Sequence, residues 1–108
     1  MTQSVVVAAA QIAPIFLDRD ATLDKICHYA QMAAQQGCKL VVFPETVLPG
    51  YPYWTLTHDP LSHLGRFNRR LYKQAVEIPS PCTDKLCETA KKTNCFLVVG
   101  LNEREGGT

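Results

Sequence analysis

Three apolar runs stand out along the chain: Ser4–Phe16, Cys38–Phe43 and Cys95–Leu101. None alternates apolar with polar, so none has the period-two pattern of a half-buried strand. Each predicts a strand covered on both faces, as in a parallel sheet. Pro14 closes the first run. Between the first and second lies "DRDATLDKICHYAQMAAQQG". Its Leu23, Ile26, Cys27, Ala30, Ala33 and Ala34 recur at spacings of three and four, one face of a helix. Asp18 or Asp20 supplies the cap, and Gly37 the left-handed residue that stops it. A strand, a helix and a second strand predict a right-handed crossover with parallel strands. "LSHLGRFNRRLYKQAV" is weakly helical. "SPCTDKLCETAKKTN" predicts a stronger helix, with Ser80 as cap, Pro81 in the first turn and Asn94 at the end. The fold class is therefore α/β. The chain finishes on "NEREGGT", where Gly106 and Gly107 predict the tip of a hairpin whose returning arm does not follow. Three apolar strands with few helices also leave sheet edges open. Both features predict one part of a larger domain.

Composition narrows the class. The 108 residues are 46% hydrophobic and 19% charged, a globular balance. A net charge of +1 provides no field for nucleic acid or an anionic membrane. The apolar run Val5–Ala10 lacks a basic preceding segment and is cut by Gln11, so neither a signal peptide nor a membrane span is expected, and the compartment is read as cytosolic. Five cysteines, Cys27, Cys38, Cys82, Cys87 and Cys95, form no CxxC pair. A metal site is not expected, and free buried thiols are expected for all five.

The chemistry concentrates in "VVFPETVLPGYPYW", residues 41–54. Residues 44–60 hold four of the seven prolines, Pro44, Pro49, Pro52 and Pro60. A long loop of this kind inside a compact domain is often functional. Glu45 lies two residues past a strand end, where open α/β sheets collect ligands. Val47, Leu48, Tyr51, Tyr53 and Trp54 follow it. Apolar neighbours would raise its pKa and make it a better general base near neutral pH. A surface salt bridge or a cap is the other reading of the same placement.

Three segments, "VVAAAQIAPIFLD", "KLVVFPETVLPGYPYW" and "FLVVGLNEREGGT", together resemble the amino-terminal part of the nitrilase branch of the carbon–nitrogen hydrolase superfamily. The likeness runs from Ser4 to Thr108, and "FPE" followed by "PGYPYW" is its most specific piece. The resemblance implies an αββα sandwich, of which residues 1–108 would be the amino-terminal part of one domain. It implies a catalytic cysteine, lysine and glutamate, with Glu45 as the base that activates the thiol and later water. The reaction implied converts a nitrile to a carboxylic acid and ammonia through a cysteine thioester, with no cofactor and no metal, in a homo-oligomer when complete. The lysine and the cysteine of the family follow the "GGT" turn. None of the five cysteines here has the family's Cys-aromatic-Glu context. Cys87 precedes Glu88, but its helical position predicts core packing. Lys73, Lys85, Lys91 and Lys92 fall on predicted helices and are expected to be solvated.

Tyr51 and Trp54 are candidates for the substrate pocket, Tyr51 by its match to a family position near the active site. The alternative is that "YPYW" packs the loop onto its own sheet. Pro49 and Pro52 restrict the backbone around Tyr51 and predict a preset wall. Residues 46–54 carry few side-chain acceptors, only Thr46 and the tyrosine hydroxyls. That suits a linear nitrile better than an amide, whose NH₂ needs partners. An amidase or carbamoyl hydrolase of the same superfamily remains open, as does a non-catalytic remnant that binds partners. His28, His58 and His63 are read as surface or packing residues. Arg66, Arg69, Arg70 and Lys73 make a basic stripe at helical spacing, either a solvated face or a subunit contact.

Overall fold

The computed structural model describes residues 3–56 and 61–106, the side chains of 61–64 excepted. Its elements run β1 (Val6–Ala9), α1 (Arg19–Gln35), β2 (Cys38–Val42), a 3₁₀ turn (Tyr53–Leu56), α2 (Leu61–Gln74), α3 (Pro81–Thr93) and β3 (Phe96–Val98). The strands form one parallel sheet in the order β1-β2-β3. This is the α/β class expected, with the strand–helix–strand crossover in place.

The two outer helices follow their local signals. Asp18 is the N-cap of α1, its carboxylate accepting from the Ala21 N–H at 3.0 Å. Gly37 has φ 84 just past the end of α1, a conformation that L side chains resist. Ser80 caps α3, with Thr83 completing a reciprocal capping box, and Asn94 ends it in the left-handed region. Leu23, Ile26, Cys27, Ala30 and Ala33 of α1 are buried as their spacing predicts; Ala34 is only half-buried.

The sheet departs from expectation. Ala8, Val41 and Leu97 sit in one cross-strand row and face α1 and α3. The opposite face lies open: Val7, Ala9 and Val42 are exposed, and Phe96 and Val98 are 78% and 51% exposed. The strands were expected to be buried on both faces. They are covered on one, because the described helices that pack on the sheet, α1 against β2 and α3 against β3, lie on the same side. β1 is also shorter than its apolar run, since the chain leaves the ladder after the Ala10 N–H donates to the Val42 carbonyl at 2.8 Å.

The incoming arm of the hairpin expected at "NEREGGT" is anchored by two isolated bridges. Leu101 bridges Leu48 and Glu103 bridges Val76, both in parallel sense. The segment after β3 thus stitches together the loop after β2 and the end of α2. Gly106 does take a left-handed φ of 58; Gly107 and Thr108 lie outside the described residues.

Candidate active site at the carboxyl ends of the strands

Beyond β2 and β3 the ladder continues, but out of step. Val42 pairs with Val98, and the next pairing is Leu48 with Leu101. Six residues on one side are matched by three on the other, so the chain between Phe43 and Leu48 is extruded. The Phe43 N–H donates to the Val98 carbonyl at 2.8 Å, the Leu48 N–H to the Gly100 carbonyl at 3.3 Å, and the Asn102 N–H to the Leu48 carbonyl at 2.9 Å. Between these anchors Pro44–Val47 makes a turn, closed by the Val47 N–H on the Pro44 carbonyl at 3.4 Å. Glu45 stands on that turn, off the end of the sheet.

Glu45 shares a cleft of about 340 Å³ with Tyr51 and Tyr53 on one side and Gln11, Ile12 and Pro14 on the other. Sequence reasoning placed Glu45 and Tyr51 together, and the structure brings them to one cleft. Tyr53, expected beside Glu45 but not singled out for the pocket, joins them, and so does the unforeseen 11–14 segment, the outgoing end of the first apolar run. That end was in principle legible, because β1 is parallel to β2 and so must finish on the same side of the sheet.

Two expectations need correction. Glu45 is exposed, not enclosed by apolar side chains. Its neighbours Val47 and Leu48 are buried in the core beneath the turn, Val47 also reaching the wall of the cleft, and they leave the carboxylate itself open. Trp54 does not line the Glu45 cleft. It is buried, stacked on Phe67 at 5.2 Å and edge-on to Phe16 at 6.1 Å, and its indole N–H donates to the Asn68 Oδ1 at 2.8 Å. These partners hold the loop against α2.

The start of the loop between these residues is tied down by more than its prolines. Leu48, Pro49 and Gly50 are buried. The Pro49 carbonyl accepts from the Leu17 N–H at 3.1 Å, and the Gly50 carbonyl from Asn102 Nδ2 at 3.0 Å. Tyr51 and Tyr53 lie against each other, ring centroids 5.1 Å apart. The wall carrying the tyrosines is thus tied to two segments distant in sequence.

The cysteines do not join this site. Cys27, Cys38, Cys82 and Cys95 are buried, as expected for structural thiols. Burial pushes the Cys82 thiol above its usual range, with the Arg19 charge opposing. Cys87 is exposed, contrary to expectation, because the inward stripe of α3 runs through Cys82, Leu86 and Thr89 and leaves position 87 a step off it. The lysines 73, 85, 91 and 92 are exposed, Lys85 in an ion pair with Asp24. Arg66, Arg69, Arg70 and Lys73 are exposed too, Arg70 Nε reaching the Leu17 carbonyl at 3.3 Å. His28 is exposed beside Tyr29; His58 and the side chain of His63 lie outside the described residues. Among the described residues no group of three potential ligands could hold a metal, and no helix is long and apolar enough to cross a membrane.

The family model for carbon-nitrogen hydrolases matches residues 6–108. The chain belongs to the carbon-nitrogen hydrolases. A helical layer on one face of a sheet is one half of that family's αββα sandwich, so the domain is present in part. A nitrilase of Paraburkholderia phymatum is 43% identical over 101 residues, covering 94% of this chain and 29% of the relative. An aliphatic nitrilase of Rhodococcus rhodochrous is 37% identical over 107 residues, covering 99% of this chain and 29% of the relative. An arylacetonitrilase of Aspergillus oryzae is 36% identical over 97 residues, covering 90% and 28%. The chain thus spans under a third of the length of these relatives.

Proposed function

We propose that residues 1–108 form the amino-terminal part of one carbon–nitrogen hydrolase domain that acts as a nitrilase, with Glu45 as general base and Tyr51 as a wall of the substrate pocket. The observation that carries this is the placement of Glu45 on an extruded turn over a cleft at the carboxyl ends of parallel strands. The relatives named as nitrilases supply the reaction class. In that reaction a cysteine thiol gives its proton to Glu45 and its sulfur bonds to the nitrile carbon. Glu45 passes that proton to the nitrile nitrogen, and one water supplies the carbonyl oxygen and the remaining two hydrogens as ammonia leaves, giving a thioester. A second water, deprotonated by the same carboxylate, releases the carboxylic acid and restores the thiol. An exposed Glu45 must acquire its dry surroundings from residues outside this segment, together with the thiol and the lysine. The Tyr51–Tyr53 wall offers a nitrile apolar surface and few acceptors, which favours nitrile over amide.

The test is made in a hydrolase of the relatives' length with residues 1–108 as its amino-terminal part. Glu45→Gln keeps the shape and removes the base, and turnover is expected to fall by about 10²–10⁴. Near-normal turnover would return Glu45 to a surface role. Comparing kcat/KM for nitriles with the cognate amides over several chain lengths checks the substrate class. Consistent preference for the amide would put the amidase in its place.

A further inference from the structure

Gly100 lies two residues past β3, directly beneath the turn that carries Glu45. A Cβ built on it would meet the Pro44 carbonyl oxygen at 2.6 Å, the Thr46 nitrogen at 2.6 Å and the Glu45 Cα at 2.9 Å. All three are backbone atoms, so no side-chain rotation relieves the contact. The turn above is itself under strain. Thr46 has φ 45, a conformation that β-branched residues rarely take, and its Oγ1 is buried with no hydrogen-bond partner. A turn with a left-handed third residue ordinarily carries Gly or Asn there. The strain is held by the flanking ladder: Gly100 takes the Leu48 N–H through its carbonyl and Asn102 takes the Leu48 carbonyl. The Pro44–Thr46 backbone is therefore pressed onto a position with no side chain.

We propose that Gly100 is a positioning residue for Glu45: its bare Cα is the floor on which the Pro44–Thr46 backbone rests, and this sets the height and aim of the carboxylate over the cleft. The inference rests on the reading of Glu45 as the base. A methyl group at position 100 must lift the turn, because Phe43 and Leu48 are pinned on either side. Glu45 then moves relative to a thiol and substrate held by other parts of the domain.

The experiment uses the same relatives-length hydrolase and four proteins: Gly100→Ala, Glu45→Gln, the double variant, and Gly65→Ala, whose added Cβ meets nothing within 4 Å. Gly100→Ala is expected to lower kcat about 10²-fold with KM nearly unchanged, the scale of a misplaced catalytic group. Gly65→Ala should leave kcat where it is. In the Glu45→Gln background Gly100→Ala should add no further loss, because its effect runs through the carboxylate. Unchanged kcat in Gly100→Ala, or full additivity in the double variant, overturns the proposal. Normal turnover in Glu45→Gln overturns the base itself, and loss in Glu45→Gln without loss in Gly100→Ala removes only the positioning role. Should Gly100→Ala fail to fold, Thr46→Gly is added to free the turn. The fold should then return with kcat still depressed relative to Thr46→Gly alone, and equality with Thr46→Gly would count against the proposal.

Discussion

Two regions of this chain are built by opposite means. The α1 and α3 layer is local. Each helix is begun by a cap within three residues of its first turn and ended by a left-handed residue, and its buried stripe is a sequence period. The seam around Glu45 is non-local. Phe43, Leu48, Pro49 and Gly50 are each held by a partner from 98–102 or from Leu17, and the turn between them exists because two ladder registers disagree. A local region tolerates the loss of any one device, whereas a seam held by a few long-range ties loses its shape when one is cut. The catalytic candidate sits in the second kind of region.

The largest blow to the seam should come from Leu48→Ala. Leu48 is fully buried and joins the core to the bridge with Leu101. Truncation leaves a cavity and should cost about 2–5 kcal/mol. A chain with one sheet face open has little stability to spare, so loss of a cooperative urea transition is the expected outcome. A midpoint close to the parent's would show that the seam contributes little.

Asn102→Ala is expected to cost about 1–3 kcal/mol, because it leaves the buried Gly50 carbonyl without its side-chain donor. The change should be focused: amide exchange should rise at residues 48–51 while α3 keeps its protection. Uniform loosening of the whole chain would contradict the distinction between the regions.

Legibility followed the same division. Helix caps and the Gly37 and Asn94 stops were legible because their signals lie within a few residues of what they determine. The parallel order was legible from the apolar runs and the handedness of crossovers. Glu45 could be named from its position after a strand. Its exposure could not, because Val47 and Leu48 point into the core only once the extrusion is known, and that depends on Leu101, more than fifty residues away. The packing of Trp54 was hidden for the same reason: its partners Phe16 and Phe67 come from two other segments. Gly100 had a weak signal, a glycine interrupting an apolar run, which marks a close approach of backbone. Which backbone approaches could not be known. The open sheet face was hidden because an apolar strand specifies that it wants cover and not who supplies it.

Ser80→Ala breaks a local device and should cost about 1 kcal/mol, without affecting the Glu45 turn. The check is a urea titration with exchange measured at residues 43–48. Disturbance there would couple two regions that the hydrogen bonds keep apart.

The smallest effect on stability, and the finest probe of the local layer, comes from the two thiols of α3. Cys82 and Cys87 are five residues apart on one helix, yet Cys82 faces the core and Cys87 faces water. Reaction with a soluble disulfide reagent needs both access and thiolate. Cys87 has access. Cys82 lacks it, and burial raises its pKa, so less of it is thiolate at any pH below that value. The native chain should therefore show one fast-reacting thiol near pH 8, with the fast phase lost in Cys87→Ser and kept in Cys82→Ser. Cys82 should react only as fast as α3 opens, so its rate measures the local stability of the helical layer. Ser80→Ala, which weakens the start of α3, should speed the Cys82 reaction, and Asn102→Ala, which acts on the seam, should leave it unchanged. If Asn102→Ala accelerates Cys82 as much as Ser80→Ala does, the two regions open together and the division between them is structural only.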